Sequence, residues 1–540
     1  MVKKRIIQQG THSSNSRKFL GGIVGVGVVL CLAQYLFNRS LWSDEVWPVL
    51  NIIDRSWGGL LQPLDYDQGA PFGFLVIVKL LVLVFGDSEY ILRLFPLLCG
   101  LLSLVLFYKV LLQLYPDKPT VAVVALCLFA ISERLIYYAT ECKQYSNDVL
   151  VSLLILYVML PYSQLKRLTI ARIAFVGVFG AIAVWCSHPA VFVFAGVGTS
   201  IAIFRIIKKD WPTVGRLAIV FAVWALSFLV YYAISLRNSS NSEYLLRFWS
   251  GTFMPFPPSS LSDAFWFVRH LFELIAYIQG FSISKLIGLD PPEVFKLSLS
   301  ELVRLPLSGI AGLTYLGLST FIVTFIFLVG CISAFLNDKK KWVLLISPVM
   351  VTLLASGLRK YPFDNRLILF FIPFLLLFIA EGVDQIRAKT KRYSPVIGFV
   401  FIGLLFLHPV LSAGYYLIKP RTVAEVRPVI SYLREHRQAG DVLYVDGPAG
   451  PELLRYYRYD PKLADYIGRD TDMKDLAKLR GNQKAWVLFS DTTYVAAQRR
   501  QVDAFLHTLD SMGITLDAFK AAGAEVYLYN LNQTPIKDHN

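Results

Sequence analysis

The sequence predicts an all-α polytopic membrane protein with a small soluble α/β domain at its C-terminal end. Three observations carry this. Of 540 residues, 55% are hydrophobic and 17% charged, where an ordinary soluble domain carries about 25% charged residues; mean hydropathy is +0.53. The apolar residues are gathered into runs long enough to cross hydrocarbon, which takes about 20 residues as helix. From about Pro420 the pattern changes to short β-rich stretches alternating with amphipathic ones.

Runs of spanning character are 19–37, 90–114, 119–138, 145–162, 170–187, 189–207, 215–236, 309–336, 341–357, 366–386 and 393–417, about 11 transmembrane helices. Lys3, Lys4, Arg5, Arg17 and Lys18 precede the first run, and no small-residue cleavage site follows it. It reads as an uncleaved first helix. A further run, Pro71 to Phe85, is about 15 residues long and carries Gly73 and Lys79. At that length it is marginal as a span.

Charge placement decides between the topologies. The net charge is +15, but much of it lies in short loops, where Lys and Arg set orientation rather than bind nucleic acid. These are the N-terminus, Lys166-Arg167, the Arg205 to Arg216 loop, Lys339-Lys340-Lys341 and the Arg387 to Arg392 loop. All fall on one side if 71–85 lies at the interface or re-enters. The expectation is a plasma (inner) membrane protein with a cytoplasmic N-terminus and an extracytoplasmic C-terminal domain. The six cysteines are scattered, without CxxC pairs, so neither a disulfide framework nor a thiolate metal site is indicated.

The same topology puts the polar loops on the outer face. The long 237–308 loop, with Trp249, Phe253, Phe265, Trp266 and Phe267, suits amphipathic helices lying on the membrane or packed over the bundle. The tail, 419–540, forms a second domain after the 1–418 membrane domain. Asp441 to Val445, Ala485 to Phe489 and Glu525 to Tyr529 read as buried strands. Val429 to His436 and Val495 to Leu509 read as helices. The Gly447-Pro448-Ala449-Gly450 turn is weak evidence for a nucleotide site, being neither GxGxxG nor a Walker loop.

The outer loops hold the candidate chemistry. Leu41-Trp42-Ser43-Asp44-Glu45-Val46-Trp47 follows the first run. Tryptophan suits the interface, whereas acids beside a bilayer are costly and mark function. Asp44 and Glu45 therefore open the candidate site. Glu141, in the loop before Tyr145, adds a third outer carboxylate. Such a cluster can serve as general base, orient a hydroxyl or bind a divalent metal cation; no ligand set for a metal stands out. His188, in Ser187-His188-Pro189, reads equally as a local hydrogen-bonding residue and as a hydrogen-bond donor to phosphate or a metal ligand. Arg359, Lys360 and Arg366, with Tyr361 among them, put three cations on the outer side, against the usual bias. They are suited to a phosphate at the interface.

Taken in order, these pieces form a pattern: the acidic pair after the first span, Gly69-Ala70-Pro71 opening a short helix, Glu141…Tyr145, His188-Pro189 and Tyr361…Arg366-Leu367…Pro373. Over about residues 19–418 the chain resembles the GT-C fold membrane glycosyltransferases, and within them the protein O-mannosyltransferase and aminoarabinose transferase group (glycosyltransferase family 39-like). The resemblance implies transfer of a sugar from a polyprenyl phosphate carrier to a hydroxyl acceptor on a lipid, glycan or protein. It implies Asp44 as general base assisted by Glu45, and Glu141 at the second acidic position. Arg359, Lys360 and Arg366 would hold the carrier phosphate. One departure stands out: Asp67-Gln68-Gly69-Ala70-Pro71 lacks a cation that some relatives carry there, unless Lys79 supplies it. A transporter or flippase of lipid-linked sugars is the alternative. It would call for acids or broken helices near mid-bilayer and internal repeats, and no clear repeat is seen.

Overall fold

The computed structural model describes residues 14–164, 169–237, 242–281, 307–468, 479, 484–492 and 496–532. The basic residues before position 14, Lys166-Arg167 and the 282–306 part of the long outer loop lie outside them. The chain forms two compact units. The first takes in residues up to Leu36, Arg55–Phe281 and Tyr315–Pro420; the second takes in Phe37–Asp54 and the chain from Arg421 onward.

The first unit is helical. Among the described residues nine helices are long and apolar enough to cross a membrane, beginning with Arg17–Leu36 and ending with Pro395–Ile418. Two expected spans come out shorter. The 119–138 run is not one helix but two, Pro119–Ala130 and Glu133–Tyr138, because Ser132 between them is extended (φ −64°, ψ 112°). Ser at that position followed by Glu133 is a helix-start signal inside an apolar run. The restart is held by Arg134, whose Nη2 donates to the Phe281 carbonyl at 2.8 Å and whose guanidinium lies 4.6 Å from the Tyr277 ring centroid. Ile170–Cys186 has 17 residues. Phe72–Phe85 is a helix of 14 residues, about 21 Å at 1.5 Å per residue, well short of a hydrocarbon core of about 30 Å.

Small residues set the tightest crossing. A Cβ on Gly330 would overlap the Phe378 carbonyl oxygen, and one on Gly382 would overlap that of Ile326. The helices Leu307–Asn337 and Ile372–Thr390 thus touch backbone to backbone, as small residues permit in membranes. At one end of this bundle Glu381 receives Lys118 Nζ at 2.7 Å and Lys341 Nζ at 3.5 Å. In the same unit Arg205 donates to the Tyr162 carbonyl at 2.7 Å and pairs with Asp210 at 3.2 Å. In the outer loop, Leu261–Ile278 is a helix with a Ser260–Asp263 capping box.

The second unit holds a five-stranded sheet in the order β2-β1-β3-β5-β4. Its strands are β1 (Val442–Asp446), β2 (Tyr466–Gly468), β3 (Ala485–Ser490), β4 (Ile514–Ala521) and β5 (Ala524–Asn530). β1 runs parallel to β2 and β3, while β5 runs antiparallel to β3 and β4. The three expected strands fall on β1, β3 and β5; the helices expected at 429–436 and 495–509 fall on Val426–His436 and Ala496–Met512. Val426, Val429, Ile430 and Leu433 bury one helical stripe. They share a core with Val445, Leu453, Trp486 and Val526. Trp42, Val46 and Leu50, spaced four apart, complete that same core. The helix Ser43–Asp54, which carries Asp44 and Glu45 in its first turn, is therefore part of the α/β unit's interior.

Candidate active site

The acidic motif is built by clamping residues 38–54 onto the second unit. Ser40 donates from its amide (3.2 Å) and its hydroxyl (2.8 Å) to Glu425 Oε2. Arg427 reaches back to the Asn38 carbonyl at 3.1 Å, and its own amide donates to Ser40 Oγ at 3.1 Å. The Leu41 amide donates to Tyr457 Oη at 2.7 Å, and Asp54 pairs with Arg455 at 3.0 Å. The helix then starts with Glu45 and Val46 amides bonded to the Trp42 carbonyl at 3.0 and 2.9 Å. Carboxylates in a first turn lie at the positive end of the helix dipole. Glu45 is 0% exposed, 3.7 Å from Arg39 Nη2. Asp44 is 8% exposed. Ser43 donates its hydroxyl to Asp491, at the end of β3.

The remaining predicted residues gather at one end of the helical unit. Glu141, 1% exposed, accepts from Tyr137 Oη at 3.3 Å. Its loop is tied to the 67–71 stretch: Lys143 Nζ donates to Gln68 Oε1 at 2.8 Å, and Gln144 Nε2 to the Gly69 carbonyl at 3.0 Å. His188 Nε2 lies 3.1 Å from Tyr231 Oη, which also accepts the Phe72 amide at 3.1 Å. Burial pushes the His188 imidazole down to about 4, so at neutral pH it is uncharged. Tyr361 stacks edge-on against Phe192 with centroids 5.0 Å apart, and its hydroxyl donates to the Leu367 carbonyl at 2.7 Å. The Arg366 guanidinium lies 5.8 Å from the Tyr145 ring centroid. Arg359 and Lys360 are exposed. Burial raises the neighbouring Asp364 carboxyl to about 6, against a hydrogen bond from Asn365. Four separate stretches, 67–72, 137–145, 186–192 and 361–367, thus meet through named contacts.

Two residues escaped sequence reading. Asp148 is buried one turn into the Tyr145–Gln164 helix, beside Ser187; the signal was an acid inside an apolar run. Lys143 looks like a solvated loop lysine but is 6% exposed and faces the 67–71 stretch. The other candidate cation, Lys79, is 7% exposed and sits 5.7 Å from the Trp57 ring centroid. Among the described residues no group of three or more His, Cys, Asp and Glu is placed to hold a metal ion.

No protein-family model and no curated protein matches the sequence. Solved structures do. ArnT from Cupriavidus metallidurans in the apo state matches with 14% identity and TM-score 0.40, over 95% of this chain and 98% of that one. The Archaeoglobus fulgidus oligosaccharyltransferase in complex with Zn and sulfate matches with 12% identity and TM-score 0.49, over 94% of this chain and 73% of that one. Arabinofuranosyltransferase AftD from Mycobacteria matches with 14% identity and TM-score 0.41, over 95% of this chain and 40% of that one.

Proposed function

We propose that this chain is an integral membrane glycosyltransferase. It moves a sugar from a polyprenyl-phosphate-linked donor to a hydroxyl acceptor on the extracytoplasmic face. The observation that carries the reading is the gathering of Glu141, Lys143, His188, Tyr361 and Arg366 at one end of an apolar bundle. A phosphate carried on a lipid arrives at such an end from the bilayer, with its prenyl chain left in hydrocarbon.

The chemistry needs few parts. Asp44 takes the proton of the acceptor hydroxyl as its oxygen bonds to the anomeric carbon. The bond from that carbon to the phosphate oxygen breaks, and the electron pair leaves with the polyprenyl phosphate. Arg366, with Arg359 and Lys360 from the same loop, offsets the charge that grows on the departing phosphate. Tyr361 and neutral His188 orient oxygens by hydrogen bonding, and Glu141 is the second acid that holds an acceptor or sugar hydroxyl. Glu45, buried against Arg39, assists by keeping the Asp44 turn in place.

The test uses the full chain in proteoliposomes with radiolabelled polyprenyl-phosphate sugars. Transfer of label to a hydroxyl acceptor, with release of the free lipid phosphate, supports the reading. Movement of intact lipid-linked sugar across the bilayer, without release, refutes it in favour of a transporter.

A further inference from the structure

We propose that Asp491 is the positioning residue of the acidic motif: from the end of β3 it ties down the first turn of the Ser43–Asp54 helix and sets a second negative charge facing Asp44. This rests on the reading of Asp44 as the base.

The argument starts in the sheet. β3 is a strand buried along its whole length, and Asp491 is the first residue beyond it. Ser490 pairs with Ala524 of β5, and the Thr492 amide donates to the Gly523 carbonyl at 3.0 Å. Asp491 between them is held at φ +58°, a left-handed conformation that Asp tolerates better than most residues. The sheet therefore fixes the direction of its carboxylate. That carboxylate, 2% exposed, accepts both the hydroxyl and the backbone amide of Ser43. First-turn amides have no partner inside their own helix, so Asp491 does for this helix what an N-cap side chain does, from another element. Trp42, Val46 and Leu50 hold the helix by apolar packing, which resists sliding or rotation less than a directed hydrogen bond does.

The charge has its own role. Burial raises the Asp491 carboxyl to about 6; the Ser43 and Ser490 hydrogen bonds oppose this, and Asp44 adds to it. Asp44 is the charged group facing it from the helix. On the sheet side, Thr492 reaches Glu525 at 3.5 Å, and Glu525 is engaged by Arg499. A neutral side chain at 491 would anchor the turn equally well, yet would remove the negative charge that faces Asp44.

Two variants separate anchor from charge. Asp491→Ala removes the acceptor; Asp491→Asn keeps an acceptor oxygen and removes the charge. Hydrogen exchange across the Ser43–Asp54 helix reads the anchor without any assay of activity. We expect Asp491→Ala to speed exchange in its first turn and to lower kcat, each by about tenfold, with donor KM unchanged. Asp491→Asn should keep the helix protected, restore most of kcat, and move the acid limb of the pH–rate profile to lower pH. Unchanged exchange in Asp491→Ala overturns the anchor. A pH profile in Asp491→Asn identical to wild type overturns the tuning. Full activity in Asp44→Asn would sink the base reading and the tuning with it, while the exchange result still decides the anchor.

Discussion

Replacing Arg39 by Met should unlock the acidic motif from inside. Arg39 and Glu45 are 2% and 0% exposed, and their charged atoms are 3.7 Å apart. Coulomb's law at that distance, with an effective dielectric of about 20, gives about 4.5 kcal/mol of attraction. Methionine fills much of the arginine stem but leaves Glu45 without this cation, and breaking a buried pair from one side typically costs about 3–5 kcal/mol. For a unit of this size each kcal/mol lowers the melting midpoint by roughly 2–4 °C. Arg39→Met should therefore melt roughly 6–20 °C below wild type, read by scanning fluorimetry of the purified full chain. Adding Glu45→Gln should recover more than half of that loss, because the buried charge that Arg39 faces is gone. An Arg39→Met midpoint within about 2 °C of wild type would refute the reasoning. So would a double variant whose losses simply add.

Three further outcomes follow from the same contacts. Gly382→Ala puts a methyl against the Ile326 carbonyl oxygen and should destabilise the bundle by about 1–3 kcal/mol or more. Gly403→Ala, with nothing within 4 Å of its Cβ, should be neutral; equal thermal loss in both would rule out the close crossing. His188, lowered by burial from 6.5 to about 4, stays unprotonated in the folded chain while the unfolded chain takes a proton. Its contribution is intact above pH 6.5 and is lost as pH falls toward 4. His188→Gln should flatten melting temperature against pH in that window, and an unaltered slope would count against a buried neutral imidazole. Arg366→Ala should weaken donor binding by about tenfold, the worth of one charge-assisted contact, with folding little changed; loss of folded protein without a separate binding defect would return that loop to a structural role.

Legibility in the sequence followed how local each determinant is. A spanning helix is dictated by its own apolar length, so the runs at 90–114, 189–207 and 393–417 could be read directly and fall on the helices Glu89–Leu114, Ala190–Ile207 and Pro395–Ile418. The break at Ser132 carried only a weak local signal, Ser before Glu133, and is stabilised by Arg134 reaching Phe281, distant in sequence. β1, β3 and β5 are buried and apolar, whereas β4 pairs with β5 alone, half exposed, with Asp517 and Lys520 among its residues. Its pattern resembles a polar loop. Glu141, His188, Tyr361 and Arg366 stood out because they sit where apolar runs end. Lys143 and Asp148 did not, since one resembled a solvated loop and the other a single flaw in a span. That the helix carrying Asp44 and Glu45 belongs to the α/β unit could not be read from its neighbours: the contacts holding it, Ser40 to Glu425 and Ser43 to Asp491, join residues nearly four hundred or more positions apart.

The most direct test of the central claim compares wild type with Asp44→Asn, in proteoliposomes, for release of sugar from a radiolabelled polyprenyl-phosphate donor. The substitution keeps size and hydrogen bonding and removes the proton acceptor. The account predicts turnover by wild type and a loss of about a hundredfold or more in the variant, with an unchanged melting temperature. Equal turnover in both proteins would contradict it and move the base away from the acidic motif.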